Sequence, residues 1–438
     1  MSVAPDRPLR TRFILAFWLP LAATWLMMAV EGPYIAAIIA RMPDAAYNLA
    51  AYGVAFALGW LAESPIMMLL TASNALVSGR RSFLALRRFT LLLNACVTAA
   101  LMIGVLPPVF GFLTDRLIGL PPEVGRLAHL ATALLIPWPA AIGYRRFYQG
   151  ILVRHHLTRR VAYGTVVRLA SMSITAAALA WTTHLPGAAI GAVALSAGVL
   201  AEAAASRWMA RHIVAQLLAG AEAASVTEVV SLRDIGRFYY PLALTSVISL
   251  ITGPLVTFFL GHSRSPIESL AVWPVISAFV FLFRSGGIGY QEVAVALIGA
   301  RHEHEPEVRR VAGMLAAAST LALGVIVFTP VAELWFRVVA GLQSDLLAFA
   351  IGPARVLVLL PALEYFLSFQ RGRLIVARKT RLVTMATVIE AGCLTAALFL
   401  CVGTFSLVGA LAAAVAVLVG RVAANAFLLI PASTSARA

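Results

Sequence analysis

The chain contains a single lysine, Lys379, only five aspartates and three cysteines, and 12% of its 438 residues are charged. So little charge excludes an ordinary soluble domain, in which roughly 25% of residues are charged and about 45 to 50% are apolar. Cys96, Cys393 and Cys401 all lie in apolar stretches without CxxC spacing, so they form neither a disulfide framework nor a zinc site. Small buried hydrophobes is the reading that remains. GxxxxGK[ST], HExxH, GxSxG and any paired-aspartate metal motif are missing too, and no enzyme activity is expected without them. No metal or cofactor is expected. His302, Glu303, His304 and Glu305 read as a solvated loop rather than a metal site.

What the chain has instead is hydrophobicity, 61% of residues, and a net charge of +15 carried almost wholly by Arg. A nucleic-acid surface would gather that charge into one stripe. Here it recurs in short clusters between apolar segments, the pattern of loops that orient a membrane protein, and no nucleic-acid partner is expected. Spanning hydrocarbon takes about 20 apolar residues at helical rise. On that measure twelve segments span: 13–40, 47–77, 89–113, 127–153, 161–184, 187–212, 235–261, 268–299, 310–336, 346–374, 381–403 and 406–431. The first is too long for a signal-peptide core and is expected to be kept. Alternate loops carry Arg7, Arg10 and Arg12; Arg80, Arg81, Arg87 and Arg88; Arg154, Arg159 and Arg160; Arg207, Arg211 and Arg233; Arg301, Arg309 and Arg310; and Arg378, Lys379 and Arg381. The others hold little beyond Arg41, Arg116, Arg126, Arg264 and Arg337. Both termini are therefore expected in the cytoplasm of a bacterial inner membrane.

Shifted by 221 or 222 residues, the chain matches itself. Residues 12–35 and 233–256 agree at nine positions without a gap, including Arg12/Arg233, Phe17/Phe238, Pro20/Pro241, Gly32/Gly253 and Pro33/Pro254. Further along, Arg87/Arg309, Thr98/Thr320, Pro139/Pro361, Gly150/Gly372 and Arg159/Arg381 keep the register. Chance does not align Pro with Pro across half a chain, so the halves are copies. The expected fold is an all-α polytopic membrane protein of two pseudo-symmetric six-helix bundles, residues 1–216 and 235–438, joined by a cytoplasmic linker at 217–234. An even number of spans per copy relates the two by an axis along the membrane normal, with the binding site at their interface.

An ionisable group inside a span costs several kcal/mol, so each is a functional candidate. Under the repeat Glu63 corresponds to Arg284, and Arg168 to Glu390. Opposite charges at matched positions would let the bundles pair and part as a gate, or form static bridges. Glu31 precedes Gly32-Pro33, where proline should kink the helix, and Thr252-Gly253-Pro254 repeats the kink without the charge. In Arg284-Ser-Gly-Gly-Ile-Gly-Tyr290 three glycines are expected to interrupt the eighth segment and line a cavity. Arg284, Arg355, Arg168 and Glu364 are the candidate substrate contacts; Glu31, Glu63, Glu390 and Glu292 are the candidates for coupling and gating. Arg145, Arg146, Arg371 and Arg373 are expected to snorkel to the cytoplasmic interface.

Twelve spans in two parallel lobes, with Pro-bearing first and seventh segments, resemble the multidrug and toxic compound extrusion (MATE) fold of the wider multidrug, oligosaccharidyl-lipid and polysaccharide (MOP) exporter superfamily. More narrowly, Leu49-Ala-Ala-Tyr-Gly-Val-Ala-Phe, Phe238-Tyr-Tyr-Pro-Leu-Ala-Leu and Trp273-Pro-Val are similar to stretches of the progressive ankylosis (ANK) proteins. That resemblance implies export of anionic metabolites such as pyrophosphate, nucleotides or citrate. It also implies H+ or Na+ coupling through an acidic residue of the first lobe, where Glu31 stands in place of the usual aspartate. Together these readings describe a secondary transporter of an organic or phosphorylated anion, monomeric and solvated by membrane lipid. A cation-coupled drug antiporter is the alternative, and a lipid-linked-precursor flippase a further one.

Overall fold

The computed structural model describes residues 9–39, 41–118, 121–219, 231–299, 301–340, 342 and 344–434. Among them the only non-helical pairing is one isolated bridge between Arg264 and Val408. Among the described residues twelve helices are long and apolar enough to cross a membrane, matching the expected segments in number and order. Spans 1 to 6 are Thr11–Ile39, Tyr47–Leu76, Arg80–Val105, Pro122–Arg154, Thr158–Thr182 and Gly187–Met209. Spans 7 to 12 are Leu232–Gly261, Val272–Leu297, Glu305–Val327, Leu346–Val376, Thr380–Thr404 and Gly409–Leu429.

Chain contacts group the molecule into two compact units, a first of Leu26–Ala243 and a second of Met1–Trp25 with Leu244–Ala438. The division falls within spans 1 and 7. Two hydrogen bonds show why. In the second unit the Trp18 indole N–H of span 1 donates to the Gly286 carbonyl of span 8 at 2.8 Å. In the first unit the Tyr239 hydroxyl of span 7 donates to the Pro65 carbonyl of span 2 at 2.6 Å. Trp18 and Tyr239, like Pro65 and Gly286, are 221 residues apart, so the duplication preserves the contact while changing its donor. Of the expected linker, residues 220–230 lie outside the described residues.

The repeat also governs the turns. Asp44 and Ser265, 221 apart, both take positive φ (51° and 57°), as do His156 and Arg378, 222 apart (59° and 57°). Behind the latter pair Leu157 N–H reaches Leu152 O and Lys379 N–H reaches Leu374 O, both at 2.8 Å. Each closes its helix with the same six-residue C-terminal bond.

Lipid tails are as apolar as leucine, so helices associate by close packing rather than by escape from water. Two-thirds of the most apolar window of span 6 is buried (67%) against 17% for span 7. Span 6 owes this to its alanines and glycines, Ala188, Ala189, Ala192 and Ala194 among them. At Gly150 a side chain would run into the backbone of span 2 at Leu70 and Asn74; at Gly372 it would meet Ala294 and Gln291 of span 8. Matched glycines thus seat span 4 on span 2 and span 10 on span 8.

One expectation is reversed. The glycines leave span 8 unbroken within a helix running Pro266–Leu297. Its counterpart span 2 breaks instead, a 3-10 turn at Ser64–Ile66 separating Ala45–Glu63 from Leu69–Leu76. Pro65 occupies the place of Gly286, and proline removes an amide and clashes with the preceding turn, whereas glycine does neither. Nor do the glycines line a cavity: Gly286 lies against Trp18 and Tyr365, Gly287 against Glu364, and Gly289 against Leu21 and Trp25. The helices of spans 1 and 7 run unbroken through Pro33 and Pro254.

Candidate functional site

Each unit contains a network of ion pairs inside its spans. In the first unit span 4 sets Arg145 and Arg146 side by side, about 100° apart around the helix. They serve different partners. Arg145 donates to Glu202 of span 6 at 2.5 Å, and Arg146 faces Glu63 of span 2 at 3.9 Å, with the Met67 sulfur at 3.0 Å. One turn beyond Arg145, Gln149 donates to the other oxygen of Glu202 at 2.9 Å, joined by the Thr165 hydroxyl at 3.3 Å. From span 5 Arg168 bridges Glu202 at 3.7 Å and Glu31 of span 1 at 2.5 Å. Arg145, Glu202, Arg168 and Glu31 therefore alternate in sign, and burial of all four is tolerated because each charge has an opposite neighbour.

The second unit builds its network from matching positions with the charges rearranged. Glu390 of span 11 stands where Arg168 stands, Arg371 of span 10 where Gln149 stands, and Thr387 where Thr165 stands, each pair 222 residues apart. Arg371 donates to Thr387 at 2.9 Å and lies 3.5 Å from Glu390. Arg421 of span 12 bridges Glu390 at 3.2 Å and Glu364 at 3.4 Å, and Arg284 of span 8 approaches Glu364 at 3.7 Å. Three guanidiniums are thus linked to two carboxylates. Arg284, at the end of the chain of contacts, keeps 27% of its side chain exposed, against 7% for Glu364.

The expected candidates separate on this geometry. Glu31, Glu63 and Arg168 join one network, Glu364, Glu390 and Arg284 the other. Glu63 and Arg284, expected to face one another, each have an ion partner within their own unit. Glu292 is half-buried on span 8 and has partners of its own. Arg355 is exposed, donating to the Val327 carbonyl at 3.1 Å above the Phe328 ring, and so caps the end of span 9. The snorkelling expected of Arg145, Arg146 and Arg371 is overturned, because Arg145 and Arg146 are buried on carboxylates and Arg371, half-buried, is paired with Thr387 and Glu390 of span 11. Arg373, also half-buried, lies 3.2 Å from Glu305 at the start of the helix of span 9. Gln149, Thr165, Thr387 and Arg421 complete the networks; the Arg145–Gln149 spacing and the 149/371 and 165/387 correspondences point to the first three, and a charge within the twelfth apolar segment points to Arg421.

The polar run 302–305 builds a turn. Glu303 accepts its own and the Arg301 amide, and these hold its carboxyl below the usual carboxylate range. His302 and Glu305 pair at 2.8 Å. Among the described residues no group of three or more His, Cys, Asp or Glu is placed to hold a metal.

No protein-family model and no curated protein matches the chain. Solved structures do. The Vibrio cholerae MATE transporter VcmN, in a mutant form, is similar with a TM-score of 0.77 at 14% identity, covering 98% of this chain and 97% of that one. A MOP superfamily transporter from Pyrococcus furiosus, whose binding pocket of reverse polarity is said to suggest a different function, gives 0.74 at 16% identity over 97% and 95%. An outward-facing multidrug resistance MATE family transporter of the MOP superfamily gives 0.72 at 15% over 97% and 96%. The chain has the fold of these transporters along almost its whole length.

Proposed function

We propose that this protein is a secondary active transporter of the bacterial inner membrane, exporting an organic or phosphorylated anion by alternating access. The likeness of fold to MATE and MOP transporters supports the transport class. One observation carries the choice of an anion: the second unit's network links three arginines to two carboxylates and leaves Arg284 partly open. Arg stays charged when desolvated, and its planar donors match carboxylate and phosphate oxygens, so a spare guanidinium in a span favours an anionic solute. The similarity to ANK proteins agrees with this, as does the existence in this fold of a pocket described as reversed in polarity.

Gating falls to the matched positions 63 and 284. Arg146–Glu63 at 3.9 Å and Arg284–Glu364 at 3.7 Å are the longest ion pairs described in their networks, and therefore the ones most easily exchanged for a substrate or another partner. In export assays on cells or inverted vesicles, Arg284→Gln should cut the rate at least about tenfold, since loss of a charge-assisted contact is worth roughly 1.5–3 kcal/mol. Arg355→Gln should leave it unchanged. A normally inserted Arg284→Gln protein exporting at the parental rate overturns the anion assignment.

A cation-coupled drug antiporter is the second reading, and its coupling group would be Glu31, whose Oε1 is buried without a hydrogen bond while Oε2 holds Arg168. A carboxylate with a free oxygen suits proton or sodium coupling under either reading. Dye efflux separates them, because extrusion of a lipophilic cation dependent on Glu31 but indifferent to Arg284 identifies the drug antiporter.

A further inference from the structure

We infer that the first unit carries a binding site for an anionic phospholipid, its acyl chain lying in a groove between spans 3, 4 and 6 and its headgroup held by Arg207 and Arg211. The groove encloses about 980 Å³. Span 4 supplies the floor through Ala140 and Ala141, span 3 one wall through Leu91 and Ala95, and span 6 the other through Leu200 and Ala204. Neighbours at i, i+3 and i+4 share a helix face, so each helix turns one stripe toward the groove. Small residues leave it hollow, and its apolar lining suits hydrocarbon.

The charge is confined to one end, where Arg207 and Arg211 stand with Tyr144 and Trp208, and along the rest of the groove only Asn94 and Thr98 of span 3 interrupt the apolar lining. The Arg207 guanidinium lies 5.3 Å above the Tyr148 ring and that of Arg211 lies 4.8 Å above the Trp208 ring. Stacking on a ring fixes a guanidinium while leaving its in-plane N–H groups available. Among the described residues neither arginine has a carboxylate within ion-pair distance, although Arg211 also contacts His212. Arg87, one turn from Leu91 on the same face of span 3, adds a third positive charge at this end.

Dimensions and charge choose the occupant. Along the unbroken helix of span 3, from Thr98 to Arg87, the groove's flank is about 16 Å long at helical rise. Half of the roughly 30 Å hydrocarbon core is about 15 Å. The groove thus accommodates an acyl chain of one leaflet with a phosphate at the arginines, and the arginine bias of the loops makes that leaflet the cytoplasmic, anionic one. The other half of the chain provides an internal control. Arg309 and Arg310 repeat Arg87 and Arg88, but Arg207 and Arg211 correspond to Leu429 and Ser433. Loop charge that merely oriented the protein would not need that pair in one copy alone.

The test uses the full-length protein, delipidated in detergent, with phosphatidylglycerol or phosphatidylcholine added back. Thermal unfolding should rise by several degrees with phosphatidylglycerol and hardly at all with phosphatidylcholine, since a ligand of the folded state stabilises it by mass action. Native mass spectrometry should show phosphatidylglycerol retained. The R207Q/R211Q protein should bind phosphatidylglycerol at least tenfold more weakly, whereas R309Q/R310Q should respond as the parent does. Ala204→Phe, which fills the groove and keeps both arginines, should also lose the response. The site is refuted by R207Q/R211Q responding in full, by R309Q/R310Q losing as much, or by inorganic phosphate alone reproducing the shift.

Discussion

Glu202 is the residue on which the first unit's polar core turns. It is fully buried, with Arg145 at 2.5 Å, Gln149 at 2.9 Å, Thr165 at 3.3 Å and Arg168 at 3.7 Å. Removing one member of a buried pair strands its partner at a cost of about 3–5 kcal/mol, while removing both together costs much less. Glu202→Leu should accordingly lower the unfolding midpoint in detergent sharply, and Glu202→Leu with Arg145→Leu should recover part of the loss. A double variant as unstable as the sum of the singles would show that the two do not act as a pair. Sequence revealed that these charges lie within spans, because hydropathy measures depth along a helix. It misassigned Arg145, Arg146 and Arg371 because depth says nothing of the direction a side chain takes around its axis, and their partners lie on helices remote in sequence.

At the scale of elements, proline and glycine at matched positions produce opposite results. Span 2 breaks at Pro65, and span 8 passes unbroken through Gly286. Glycine also sets how closely helices approach. Gly372→Val would drive a side chain into Ala294 and the backbone of span 8, whereas at Gly313 nothing lies within 4 Å. Overpacking of this kind costs about 1–3 kcal/mol. The midpoint of Gly372→Val should therefore fall while that of Gly313→Val stays near the parent, and equal stabilities would argue against close packing of spans 8 and 10. Span number and order were legible from hydropathy alone. The cavity expected at the span 8 glycines was not, since the same residue type serves a void or a tight contact and only the neighbouring helix decides.

For the molecule as a whole, the units do not coincide with the halves of the sequence. The second unit includes Met1–Trp25, anchored through Trp18 to Gly286, so a fragment of residues 231–438 lacks part of its own packing. Expressed alone, that fragment should aggregate or be degraded, and co-expression with residues 1–219 should restore a species that copurifies and runs as a single peak. A monodisperse 231–438 fragment in detergent would count against the grouping.

Composition and the internal repeat by themselves determined that the chain is a twelve-span membrane protein of duplicated design, because lipid admits few other ways to satisfy a backbone and chance does not keep register over hundreds of residues. They also marked which charges are too costly to be idle. The partners of those charges, the exposure left to Arg284 and the association of the start of span 1 with spans 8 to 12 were decided by tertiary structure. The physical reason is that ion pairs and helix contacts depend on rotation about each helix axis and on helices far apart in the chain, neither of which a hydropathy profile records.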